Sequence, residues 1–270
     1  MSYRALALDV DGTLICAAQK KVTPGTTAAL RNLQKRGVAV ILATGRADFA
    51  SRGDILGTDF APDWRVCANG AQILDAAGRM VYEQRLDGTD VEVITAFAAA
   101  RGLPLAFTFE DAYYIYNKYE EYVAYYTANA GPVPYLRDGA GRDRHHLSLP
   151  FGAYIKMPGV YRGALAGLCP TVKLMEAVTD SFDISPRDAD KRRGVAWTLS
   201  RLGIGFDELV AVGDSENDAE LMSAAGVGVA MADAPAHIRA LAGQVTGSVR
   251  EDGVAAAVER FFGGGGNCDY

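Results

Sequence analysis

The sequence predicts an α/β protein, a doubly wound and mostly parallel sheet with an inserted α+β cap domain. Short apolar runs recur at Ala5–Leu8, Val38–Ala43 and Leu209–Val212, and each gives way to a polar, glycine-containing loop. An amphipathic helical stretch separates the first two, which is the strand-helix-strand spacing of parallel pairing. The middle of the chain changes character: 84–186 is rich in aromatic residues and reads as a separate α+β insertion.

Residues 4–9 read as a buried strand, because a four-residue apolar run bounded by turn residues suits a strand covered on both faces. Thr23 and Pro24 supply an N-cap and first-turn signal for a helix through Leu30 and Leu33, closed by Gly37. The strand Val38–Ala43 ends at Thr44-Gly45-Arg46, and Arg65–Ala68 ends at Asn69-Gly70. The second half repeats this logic with a helix over 192–202, a strand over 208–213, a helix from Glu216 and a short strand over 226–230. In the insertion we expect a helix near Val91–Ala100, strands at Leu105–Phe109, Tyr113–Tyr116, Gly152–Met157 and Val172–Met175, and a Tyr-rich helix over 119–128. Residues 137–146 read as a Gly/Arg/His loop, and the run from Gly263 to Tyr270 carries no functional assignment. The expected division is a core from 1–83 and 187–270 around a cap from 84–186.

At 270 residues and 49% hydrophobic content the chain is large enough for a substantial core. No stretch reaches the roughly 20 apolar residues of a membrane span, and no basic, apolar leader precedes the first strand, so a cytoplasmic protein is expected. The net charge of −6 without a basic block argues against nucleic acid or an anionic membrane as the main partner. Cys16, Cys67, Cys169 and Cys268 lack metal-site spacing and suit reduced thiols. Oligomeric state is not legible.

The chemistry lies in two acidic clusters at strand ends, Asp9-Val10-Asp11-Gly12-Thr13 and Gly213-Asp214-Ser215-Glu216-Asn217-Asp218. Ligands of open parallel sheets bind beyond the carboxyl ends of the strands. Bare carboxylates delivered there cost free energy unless something offsets their charge, and a divalent cation such as Mg2+ does so while also holding a phosphate. Asp9 and Asp11 then divide the work: Asp9 attacks phosphorus, and Asp11 protonates the leaving alcohol and later activates water. Gly12 allows the sharp bend and brings backbone amides toward an oxyanion. Asp214 completes the metal site with the Asp9 side chain and the Asp11 main-chain carbonyl. Thr44 and Gly45 offer a hydroxyl and amides to phosphoryl oxygens, and Lys191 offers a cation, with Arg192 and Arg193 as competitors by charge alone. Asp218 is placed to bond Lys191 or metal-bound water, and Arg46, Asn69 and Asn217 are candidate substrate contacts. Blander readings coexist: Asp-Gly is an ordinary turn, Thr44 and Ser215 are ordinary helix caps, and a lone Lys is usually solvated. The tyrosines at 119, 122 and 126 have helical spacing and read mainly as packing, and His145, His146 and His237 show no spacing that would join them as ligands.

Taken together, Asp9-x-Asp11-Gly12-Thr13-Leu14, Ala43-Thr44-Gly45-Arg46, Lys191 and Gly213–Asp218 resemble the haloacid dehalogenase superfamily of phosphohydrolases. The long insertion after Asn69-Gly70 resembles that of Cof-type, class IIB capped phosphatases. The resemblance implies a Rossmann-like core and hydrolysis of a small-metabolite phosphomonoester through an aspartyl-phosphate. It implies Asp9 as nucleophile, Asp11 as acid/base, Thr44 and Lys191 as phosphate binders, and Mg2+ held by Asp9, Asp11 and Asp214. The run Lys191-Arg192-Arg193-Gly194 departs from the family's usual Lys-Gly and leaves Lys191 and Arg192 as alternatives. Two other readings share the acidic layout. A phosphomannomutase-like phosphotransferase needs cap arginines such as Arg137, Arg142 and Arg144, whereas a signalling receiver domain is much shorter. The substrate itself is not legible; Arg46, Asn69, Tyr113 and the 137–146 loop are the candidates for setting it.

Overall fold

The computed structural model of the protein describes residues 3–16, 21–52, 60–130 and 134–263; the end of the chain containing Cys268 lies outside them. In chain order the elements begin with β1 (Ala5–Leu8), α1 (Pro24–Lys35), β2 (Ala39–Ala43), α2 (Asp48–Ser51), β3 (Trp64–Cys67), β4 (Gln72–Asp75) and β5 (Met80–Glu83). The insertion follows with α3 (Gly88–Arg101), β6 (Leu105–Thr108), β7 (Tyr113–Asn117), α4 (Tyr119–Ala130), β8 (Leu136–Asp138), β9 (Gly152–Lys156), α5 (Arg162–Leu168), β10 (Val172–Val178) and β11 (Ser181–Pro186). The chain closes with α6 (Lys191–Leu202), β12 (Leu209–Gly213), α7 (Glu216–Ala224), β13 (Val227–Ala230), α8 (Ala236–Leu241), β14 (Gln244–Val245) and α9 (Gly253–Phe262). Two compact units result, one from Met1–Gly45, Ser51–Val81 and Asp190–Tyr270, the other from Arg46–Ala50 and Tyr82–Ala189.

The first unit is built on a sheet in the order β14-β13-β12-β1-β2-β3-β4-β5. Its strands from β14 to β3 pair in parallel, and β4 turns back antiparallel on β3. All four residues of β1 are fully buried, as expected for a parallel strand covered on both faces. Leu6, Leu8, Val40, Leu42, Val210 and Val212 meet Leu30 and Leu33 of α1 and Val254 and Phe262 of α9 in one apolar cluster. Truncating such a leucine to alanine typically costs about 2–5 kcal/mol. The Thr23 hydroxyl caps α1 by accepting the Thr26 amide at 3.1 Å, with Pro24 in the first turn. The parallel register sets Leu8 beside both Leu42 and Val212, so the loops after β1, β2, β3 and β12 emerge at one edge of the sheet.

The second unit is a six-stranded sheet ordered β10-β11-β9-β6-β7-β8, antiparallel except for β7 and β8. One apolar cluster joins Phe97 of α3 and Leu165 of α5 to Phe107, Ile155, Phe182 and Ile184. Tyr122 of α4 packs in another with Ala106, Ile115 and Leu136, and Tyr119 and Tyr126 lie against it, so the tyrosine stripe is packing. Several features depart from expectation. The hairpin of β4 and β5 and the strand β11 were not anticipated, although Ser181-Phe182-Asp183-Ile184-Ser185 alternates with strand period. The segment read as an arginine-rich loop opens with β8, a polar edge strand whose one apolar residue, Leu136, gives little periodic signal.

Candidate active site

Asp9 follows β1 and is 5% exposed; its amide donates to the Val212 carbonyl at 3.1 Å, fixing the carboxyl between β1 and β12. Lys191 opens α6, whose N-cap Asp190 accepts the Arg193 amide at 2.7 Å. The Lys191 side chain is fully buried and its Nζ donates to Asp9 Oδ1 and Asp218 Oδ1, each at 2.7 Å. Arg192 is exposed, with its guanidinium over the Phe206 ring, and the exposed Arg193 makes its ion pair with Asp190. Lys191 is therefore the cation that reaches these carboxylates, a choice that charge alone left open.

Asp218 is 2% exposed and serves two purposes. Its Oδ1 accepts Lys191 while its Oδ2 accepts the amides of Asp214 and Ser215, both at 3.1 Å, and so caps α7. Asp214 is held by the Thr13 hydroxyl at 3.1 Å. Burial, opposed by Lys191 and reinforced by Asp218 and Asp214, pushes Asp9 up to about 8. Burial and the Asp218 charge likewise push Asp214 up to about 6. Burial pulls Lys191 down, but Asp9 and Asp218 outweigh it and hold the ammonium above its ordinary value, so the lysine stays charged.

The loop after β1 is a tight turn. The Gly12 amide donates to the Ile15 carbonyl at 2.7 Å, and the amides of Leu14 and Ile15 donate to the Val10 carbonyl at 2.9 Å, so these three amides close the turn. Gly12 also makes room. Its φ is +81°, and a Cβ there would lie 2.1 Å from Asp214 Oδ2. Asp11 is exposed, bridges to Ile15 through its backbone, and lies outside the set of converging carboxylates.

Beside this cluster, Thr44 follows β2, buried, with its amide on the Val66 carbonyl at 2.8 Å and its own carbonyl accepting the Asn69 amide at 3.1 Å. Asn69 adopts a left-handed backbone (φ 52°, ψ 38°), and its Oδ1 accepts the Asn217 amide group at 3.1 Å. A Cβ on Gly45 would meet both asparagines within 3.6 Å. Thus Gly45, Asn69 and Asn217 converge, whereas Arg46 belongs to the second unit and donates to the Ala50 carbonyl at 3.2 Å. In that unit Arg137 donates to the Pro134 and Leu136 carbonyls, Arg142 to the Tyr116 carbonyl and Asn117, and Arg144 to Glu110 and Ser148. Arginines committed in this way give no support to a second phosphate site of the phosphomutase kind.

The cluster suits a hard divalent cation. Asp9, Asp214 and Asp218 each bring a carboxylate oxygen within 4.8 Å of the others, and Asp218 is already engaged through both its oxygens. Asp9 and Asp214 are the side chains left to hold an ion, with oxygen donors alone, which is the preference of Mg2+. Gly12 leaves room for the Asp214 carboxylate, and the Thr13 hydroxyl holds it there.

The profile of the haloacid dehalogenase-like hydrolases matches residues 6–258. The chain is 29% identical over 283 aligned positions to phosphatase YwpJ of Bacillus subtilis, covering 93% of this chain and 97% of that one. Its fold superposes on the phosphatase BT1666 from Bacteroides thetaiotaomicron with a TM-score of 0.86, 21% identity and coverage of 97% and 96%. The subclass IIB sugar phosphatase BT4131 gives a TM-score of 0.80 at 21% identity, covering 96% of this chain and 99% of that one. Among the described residues no helix is long and apolar enough to cross a membrane. A strand-end carboxylate held by a buried lysine, in a chain matched by this profile along nearly its whole length, places the protein in the haloacid dehalogenase-like hydrolases.

Proposed function

We propose that the protein hydrolyses a small-metabolite phosphomonoester, with Mg2+ as cofactor and a phosphorylated Asp9 as intermediate. The observation that carries the reading is the 2.7 Å contact of buried Lys191 with Asp9 at the strand end. An Asp9 oxygen attacks phosphorus in line; the bond from phosphorus to the ester oxygen breaks, and Asp11 gives its proton to the departing alcohol. Asp11, now a carboxylate, takes a proton from water, whose oxygen attacks the phosphorus of the aspartyl-phosphate and returns free Asp9 and inorganic phosphate. Lys191 offsets negative charge on Asp9 and the transferring group, and Thr44 with Gly45 orients the phosphoryl oxygens. The Asp9 and Asp214 carboxylates with the Asp11 carbonyl would hold Mg2+, which supplies positive charge to both nucleophile and phosphate. Lys191 opposes the burial that raises Asp9, and a bound cation would oppose it further.

We assign choice of the leaving group to residues 84–186, the proposed cap. The proposed substrate is a phosphorylated small molecule such as a sugar phosphate, in keeping with the name of BT4131. The test is a steady-state screen of phosphate esters with Mg2+ on the protein and on Asp9→Asn. Phosphate release from at least one ester, abolished in the variant, is expected. Equal turnover by the variant would overturn the assignment.

A further inference from the structure

A second group of metal-ligating side chains lies in the second unit, and the proposed hydrolysis does not use it. Glu92 projects from α3, while His145 and His146 occupy a short 3-10 turn over Arg144–His146. Glu92 Oε1 stands 2.9 Å from His145 Nε2 and 3.4 Å from His146 Nε2, and all three donor atoms lie within 4.8 Å of one another. A tetrahedral zinc site with bonds near 2.0–2.1 Å separates its donors by about 3.4 Å. The Glu92–His146 separation matches that value, and a small opening of the Glu92–His145 contact would bring it to the same length.

The surroundings support the same assignment. The His145 side chain is 4% exposed, and its Nδ1 stands 2.9 Å from the Tyr116 hydroxyl, which also accepts the His145 amide at 3.0 Å. In the metal-bound state, donation of Nδ1–H to Tyr116 Oη would turn the Nε2 lone pair toward the ion, which is how outer partners orient a ligating histidine. His146 and Glu92 are 64% and 60% exposed, so solvent reaches the open side, where water would complete the coordination. Two imidazoles and one carboxylate select a borderline transition ion over Mg2+, which prefers oxygen alone.

We propose that Glu92, His145 and His146 form a binding site for a divalent transition-metal ion, Zn2+ in the first instance, that ties the 144–146 turn to α3. The alternative for the same geometry is a carboxylate that only hydrogen-bonds two imidazoles, and the two differ in metal binding. Calorimetric titration of Zn2+ into the full-length protein, with Mg2+ in excess to occupy the Asp9 cluster, is the test. We expect one Zn2+ equivalent, weakened by at least about tenfold in Glu92→Ala and in His146→Ala and retained in Asp214→Asn. Binding unchanged in the first two variants, lost in Asp214→Asn, or absent from the unaltered protein would overturn the proposal. A footprint on the unaltered protein avoids any folding defect of a variant. Zn2+ should slow diethylpyrocarbonate modification of His146 but not of the similarly exposed His237; equal protection of the two, or none, would count against the site.

Discussion

Lys191 Nζ and Asp9 Oδ1 lie 2.7 Å apart although 182 positions separate the residues, and both side chains are almost wholly withdrawn from solvent. Such a contact is weak evidence for stability in itself, because desolvating both charges offsets much of their attraction. Its significance is functional: a positive charge is fixed against a strand-end carboxylate before any substrate arrives. Lys191→Met leaves Asp9 and Asp218 buried without their shared cation. We expect a loss of about 3–5 kcal/mol in urea unfolding, typical of a buried pair stripped of one partner, and a fall in kcat of at least about 100-fold.

Gly12→Ala puts a methyl group where Asp214 Oδ2 now lies and forces a side chain onto a backbone with φ +81°. The strain costs about 1–3 kcal/mol, and Asp214 must move. Activity in this variant should demand much more Mg2+ for half-saturation than in the parent protein. An unchanged Mg2+ requirement, measured by titrating activity against the ion, would remove Asp214 from the cation site.

The acidic cluster makes stability depend on pH in a predictable direction. Asp9 and Asp214 are raised to about 8 and about 6 from an ordinary 3.8, so the folded metal-free protein holds protons more tightly than the unfolded chain. Their contribution is therefore full below about pH 4 and is lost as pH rises through 6 and 8. A cation competing with those protons reverses the loss. The rise in Tm produced by Mg2+ should be larger at pH 8 than at pH 5, as read by calorimetry, and a rise independent of pH would contradict the assignment of the ion to these carboxylates.

Asp183 gives a related prediction in the second unit. Burial alone pushes its carboxyl up to about 6. By the same sign, its ionised form destabilises the fold above that pH. Asp183→Asn should stabilise the protein by about 1–3 kcal/mol at pH 8 and by little at pH 4, measured by denaturant unfolding at both.

Much of this was legible because the governing pattern is local. Ala5–Leu8 and Leu209–Val212 are apolar runs that end in acidic loops, and parallel pairing then brings Asp9 and Asp214 to one sheet edge. Asp218 was legible for a similar reason, one helical turn beyond Asp214. The choice of Lys191 over Arg192 was not, since neighbours on a helix carry the same charge and only burial separates them. Gly12 gave a turn signal but not its purpose, which depends on a carboxylate 202 positions away (214 − 12). Glu92 and His145, 53 positions apart, share no motif and are joined only by the packing of the 144–146 turn against α3. Strand β11 carried a readable alternation that its closeness to β10 obscured.

The most direct test of the account is chemical trapping at Asp9. Asp11→Asn, given an activated aryl phosphate whose leaving group needs no acid, should accumulate an acyl-phosphate because water is no longer activated. Borohydride reduction followed by peptide mass mapping should then place homoserine at position 9 and nowhere else. An unmodified Asp9 under conditions in which the aryl alcohol has been released, or modification at another carboxylate, would contradict the central claim.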